Sequence, residues 1–238
     1  MSEHTVKSYE GELEALSTQV AQMGGVAENL LQGAIDAVAR RDSALADRMI
    51  ESDRRIDDYE RQIEAMAVKL LALRQPVGID LRLTITSLRI ANELERIGDL
   101  AKNIAKRALV LNREQPVRLT QGLVRMGREC LVQLKRVLDA LAARDANAAA
   151  AVWRSDEEID ELYNSLFREL LTYMMEDPRT ISLATHLLFI AKNLERVGDH
   201  ATNIAEQVTY LVRGAYLGED RPKGDATSTT AVPFEQPS

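Results

Sequence analysis

An all-α protein, two tandem three-helix bundles of six antiparallel helices related by internal duplication, is what three features of this sequence predict. The first is a repeat. Ala91–Ala105 reads A-N-E-L-E-R-I-G-D-L-A-K-N-I-A, and Ala191–Ala205 reads A-K-N-L-E-R-V-G-D-H-A-T-N-I-A. Leu94, Glu95, Arg96, Gly98, Asp99, Ala101, Asn103, Ile104 and Ala105 each meet an identical residue 100 positions on. The second is apolar residues recurring at steps of three and four, the mark of one buried helix face. The third is scarcity of breakers: 12 glycines and 6 prolines in 238 residues, several of them after Arg213.

From the N-terminus, the first helix carries Leu13, Leu16, Val20, Met23, Ala27, Leu30, Ala34 and Val38 on one stripe. Arg40-Arg41-Asp42-Ser43 forms a turn in which Asp42 or Ser43 caps the second helix. That helix runs through Met49, Ile56, Tyr59, Ile63, Met66, Leu70 and Leu73, and Pro76 and Gly78 stop it. The third, with Asp80 as a candidate cap, shows Leu83, Ile90, Leu94, Ile97, Ala101, Ile104, Ala108 and Leu111. The second half repeats this plan. Met23-Gly24, Ser52-Asp53 and Ile56-Asp57 recur 103 residues later as Met126-Gly127, Ser155-Asp156 and Ile159-Asp160. The offset drops to 100 after Pro178, so the second hairpin is three residues shorter. The expected divisions are a first bundle over 1–113, a second over 117–213, and a polar tail over 214–238 that is expected to be disordered.

Composition narrows the function. A net charge of −7 argues against a nucleic-acid platform, which needs a basic face. No apolar run reaches the roughly 20 residues of a spanning helix, and the N-terminus has no apolar signal region. The expectation is a cytoplasmic chain with no membrane insertion. Cys130, the single cysteine, excludes an internal disulfide or a Cys-based zinc cluster and sits in an apolar stripe.

The chemistry-bearing pattern is acidic. Glu95 and Asp99 lie four apart and share a helix face, as do Asp53 and Asp57, Asp156 and Asp160, and Glu195 and Asp199. Like charges at this spacing repel by a few tenths of a kcal/mol, so four such pairs at matched places are not there for helix stability. Hairpin register brings Asp57 level with Glu95 and Asp53 level with Asp99; Asp160 and Asp156 match Glu195 and Asp199. Helical angles place these acids opposite the Leu94–Ile104 stripe, outward along the seam between the second and third helices. Oxygen-rich, partly open seams suit divalent ions such as Mg or Mn, and can take Fe or Zn. A dinuclear oxidase would need Glu-x-x-His facing inward, but Gly98 and Gly198 stand where that His would be. His4, His186 and His200 form no spacing motif, and no nucleophile–base set is visible. Close helix packing explains the two glycines.

Two copies of L-E-R-[IV]-G-D-x-A-x-N-I-A, with the earlier S-D-x-x-I-D pairs, resemble the PhoU family of phosphate-signalling regulators over residues 5 to 215. The resemblance implies a non-enzymatic, usually dimeric cytoplasmic adaptor, peripheral at the inner membrane face through its partners. Those partners would be the ATPase of the phosphate ABC transporter and a sensor histidine kinase. It would repress the phosphate regulon and restrain uptake when phosphate is plentiful. The family's acidic motifs, implicated in metal binding, fall on the same eight residues named above. The alternative class is a metal-dependent enzyme or metal-storage bundle using those carboxylates.

Overall fold

The computed structural model describes residues 2–218, apart from the side chains of residues 2–7 and of Asp156. Among them the first repeat comprises α1 (Ser2–Arg40), α2 (Ser43–Ser52), α3 (Arg54–Arg74) and α4 (Gly78–Leu111). The second comprises α5 (Thr120–Ala143), α6 (Ala146–Arg154), α7 (Asp156–Glu176), a 3-10 turn at Pro178–Thr180, and α8 (Ile181–Arg213). The all-α duplicated architecture is as the sequence predicts.

The middle helix of each repeat is broken once, which periodicity does not reveal. Asp53 keeps helical dihedrals (φ −56°, ψ −35°), and the Ile56 amide donates to its carbonyl at 2.9 Å, a tightened i to i+3 bond. The break at Ser155 is similar, its amide donating to the Val152 carbonyl at 3.1 Å. A single tightened turn interrupts the helix yet nearly preserves the phase of the apolar stripe, so the pattern reads as one helix. Both breaks fall at the first acid of an acidic pair or beside it.

Turn chemistry matches between repeats. Arg41 and Arg144 both adopt left-handed φ, 55° and 50°. Asp42 then accepts from the Leu45 amide at 2.9 Å, and Asp145 from the Asn147 and Ala148 amides at 2.8 and 3.0 Å. Asp80 does not cap α4. Val77 holds that place without a side-chain bond, and Asp80 instead accepts from the Tyr9 hydroxyl at 2.9 Å.

The halves are not separate bundles side by side. α1 packs on α4 and α5, and α4 and α8 pack along their lengths, so that one apolar core runs through both repeats. α4 and α8 are antiparallel: Arg107 meets His186, Asn203 donates to Glu93, and Arg89 donates to Gln207. That register sets Gly98 level with Gly198. The second buried face of these helices is alanine-rich; Ala91, Ala105, Ala191 and Ala205 are at most 2 % exposed. Small residues there allow two long helices to share a core with α1 and α5. Between α1 and α5 the packing is reciprocal. A Cβ on Gly24 would lie 2.7 Å from Leu138, and one on Gly127 would lie 2.8 Å from Ile35. These pairs exchange under the 103-residue offset, so a pseudo-twofold axis relates the repeats and puts the two hairpin ends at opposite poles.

Gly214 (φ 73°) ends α8, and the chain then folds back. Tyr216 stacks on Tyr210 with centroids 4.5 Å apart, and the Arg89 guanidinium donates to the Tyr216 hydroxyl. Arg82 lies against Gly214. Arg82 and Arg89, seven apart on α4, therefore hold the chain exit to the body. The rest of the expected polar tail, from residue 219 on, lies outside the described residues. No described helix is long and apolar enough to cross a membrane.

Candidate functional site

In the first repeat α3 and α4 bring Asp53, Asp57, Glu95 and Asp99 to one seam, in the register the hairpin predicts. The break before α3 turns Asp53 inward: it is 2 % exposed, against 45 % for the Asp99 side chain. The outward-facing expectation therefore holds for Asp99 and not for Asp53. What makes the burial tolerable is Lys102, whose Nζ lies 2.5 Å from Asp53 Oδ2 and 3.4 Å from Asp99 Oδ1. The hydrogen bond to Asp53 and the two carboxylates raise the Lys102 pKa. Asp53 Oδ1 is buried with no hydrogen-bond partner among the described residues. It faces the backbone of Gly98, where a Cβ would lie 3.7 Å away.

One turn along, Glu95 has only a long contact to Arg96 among the described residues. Burial, then the carboxylates of Asp99 and Glu60, push its pKa up to about 7; Arg96 opposes this and Asp57 adds to it. Arg96 offers little, with Nε 3.7 Å from the Glu95 carboxylate and its own side chain 55 % exposed.

The second seam is built from α7 and α8 and is balanced differently. Asp160 and Glu195 are buried and Asp199 is half-buried; the Asp156 side chain lies outside the described residues. The cation here is Lys192, with Nζ 2.9 Å from Glu195 and 5.0 Å above the Tyr163 ring. Lys102 and Lys192 are not repeat equivalents, since Thr202 and Asn92 occupy the matching places. Gln133 on α5 adds a polar group where the first repeat has Leu30. It is 5 % exposed, and neither its amide nitrogen nor its oxygen has a hydrogen-bond partner among the described residues. Its Oε1 would lie 3.3 Å from a Cβ on Gly198. Matching residues between the repeats does not find Lys102, Lys192 or Gln133, because each stands at a mismatch.

The two repeated glycines are explained by packing. Ile56 of α3 presses on Gly98 of α4, and Ile159 of α7 on Gly198 of α8. This close approach brings the acids of adjacent helices onto a common seam. His200 is drawn away to Glu93, with Nδ1 2.7 Å from its carboxylate. Burial pulls the Glu93 carboxyl up, but the bonds from His200 and Asn203 outweigh it and hold the pKa below the usual range.

The donor set is chemically suited to a hard cation, and the buried Asp53 oxygen and the raised Glu95 are groups a cation would satisfy. The described side chains do not, as placed, converge three at a time on one point; in the first seam Lys102 stands between Asp53 and Asp99.

With this geometry in view, comparison with known proteins is decisive. The PhoU domain family matches residues 20–108 and 123–208. The chain belongs to the PhoU family. Each PhoU match covers most of one repeat, and the gap between them spans the linker from α4 to α5. The chain is 52 % identical over 229 residues to the phosphate-specific transport system accessory protein PhoU homolog of Caulobacter vibrioides, covering 96 % of this chain and all of that one. The homolog of the same name from Rhizobium meliloti is 49 % identical, covering 95 % and 96 % of the two chains. The crystal structure of PhoU from Pseudomonas aeruginosa superposes with a TM-score of 0.84 at 40 % identity, covering 87 % of this chain and all of that one.

Proposed function

We propose that this PhoU-family chain is an accessory, regulatory component of phosphate transport. The observation that carries this is near full-length similarity to relatives bearing that description, both repeats included. In this reading it is an adaptor rather than an enzyme. It docks on the cytoplasmic ATPase of a phosphate transporter and on a sensor histidine kinase, forms a homodimer, and keeps phosphate-starvation genes off when phosphate is abundant. Deleting the gene is expected to derepress those genes in phosphate-rich medium. Unchanged expression there would overturn the reading.

The acidic seams are proposed as divalent-cation sites, formed by Asp53, Asp57, Glu95 and Asp99 in one repeat and by Asp156, Asp160, Glu195 and Asp199 in the other. A bound Mg, Mn, Fe or Zn ion would supply positive charge to crowded carboxylates. In the first seam Lys102 must swing aside to admit it, which its 29 % exposed side chain allows. Metal content of the purified protein, beside a variant carrying Glu95→Gln, Asp99→Asn, Glu195→Gln and Asp199→Asn, tests this. Stoichiometric metal lost in the variant with helicity intact is the expected result; equal and negligible metal in both would refute it.

A further inference from the structure

The pseudo-twofold axis generates two clefts, and comparing them exposes a site apart from the acidic seams. One, about 580 Å³, lies where the end of α1 meets the interrepeat linker and the start of α5, and is lined by Arg41, Arg125, Arg128 and Glu129 over Val117 and Val124. Its repeat counterpart, about 370 Å³, is lined by Arg144, Glu28 and Asp139. Three arginines against one carboxylate in the first cleft become one arginine against two in the second. Arg125 and Arg128 stand where the first repeat has Gln22 and Gly25. In a chain of net charge −7, one copy of a duplicated cleft is cationic.

The three arginines are also unspent. Arg41 is half-buried in its left-handed turn, and its guanidinium donates to the carbonyl oxygens of Asn112, at 3.0 Å, and Glu114. Those bonds fix its position and leave its charge uncancelled. Arg125 and Arg128 are one helical turn apart on α5 and exposed. Among the described residues no carboxylate pairs with any of the three. The first amides of α5 are taken by the preceding turn, Thr120 N bonding to Val117 O and Gln121 N to Arg118 O, so the guanidinium groups are what would receive an anion.

We propose that this cleft binds a phosphorylated small molecule carrying an apolar group. Guanidinium forks pair bidentately with phosphate oxygens and keep their charge at any physiological pH. The volume falls within the range of small-molecule sites and is far larger than orthophosphate needs. The floor of Val38, Val117 and Val124 gives the remainder of the ligand an apolar wall. A nucleoside phosphate has both parts.

The test is calorimetric titration of the full chain with ATP, AMP and orthophosphate in excess EDTA, which removes any metal held by the acidic seams. One site per chain for a nucleotide, with Kd below about 1 mM and weaker binding of orthophosphate, is expected. R125Q/R128Q, two exposed substitutions whose helicity is checked by circular dichroism, should weaken it by at least about tenfold. R144Q in the counterpart cleft should leave it unchanged. The proposal is overturned if neither nucleotide binds, if R125Q/R128Q binds as well as wild type, if R144Q is equally impaired, or if orthophosphate binds as tightly as the nucleotides. The metal reading stands or falls separately, on metal content.

Discussion

Glu95 is where the chemistry of the first seam concentrates. Its pKa of about 7 lies above the roughly 4.3 of an unfolded glutamate. Between those values the folded chain holds a proton that the unfolded chain has released, so this residue lowers stability progressively as pH rises through that window, and not further above it. Glu95→Gln should therefore stabilise the protein at pH 8 by about 1–3 kcal/mol in EDTA and much less at pH 5, as measured by urea unfolding. Divalent-ion affinity should rise with pH through 7, with proton release on binding. Gln133 gives a second expectation. Its buried amide, without a partner among the described residues, costs roughly 1–3 kcal/mol, so Gln133→Leu, which restores the residue of the first repeat, should raise the melting temperature. A fall instead would mean the amide has a partner that the substitution removes.

At the level of elements, the α3–α4 and α7–α8 contacts differ in tightness. A Cβ on Gly98 would come within 2.9 Å of two Ile56 atoms, whereas one on Gly198 would stand 3.1 Å or more from Ile159. Overpacking costs about 1–3 kcal/mol, against about 1 kcal/mol gained from replacing glycine by alanine in a helix. Gly98→Ala is thus expected to lower Tm by several degrees, at about 2–4 °C per kcal/mol, and Gly198→Ala to leave it nearly unchanged. Equal effects would disprove the packing account. These elements also show what the sequence makes legible. Helix faces, the turn at Asp42 with Asp42 or Ser43 as its cap, and the hairpin register of the acids all follow from periodicity and turn chemistry, which are local. The breaks at Asp53 and Ser155 do not, because the apolar phase nearly survives them. The inward turn of Asp53 and its pairing with Lys102 were hidden for the same reason. The role of Arg82 and Arg89 in holding the chain exit was equally out of reach: it depends on α8 ending beside the start of α4.

For the whole molecule, the fused core is what a reading by repeats understates. One apolar stripe on each of three helices per repeat predicts two bundles, but the alanine faces of α4 and α8 are a second, weaker pattern, and only in three dimensions do they show that each repeat completes the other. Glu93, His200 and Asn203 lock that junction with polar bonds. The reciprocal seating of Gly24 under Leu138 and Gly127 under Ile35 has a consequence for assembly. Each half seats its sibling as its sibling seats it, so the chain carries the symmetry of a homodimer within a single polypeptide. Severed in the linker and co-expressed, residues 1–113 and 117–238 should reassociate as a one-to-one pair of native mass in analytical ultracentrifugation. The first half made alone should pair with itself, and a monomeric half would deny that kinship.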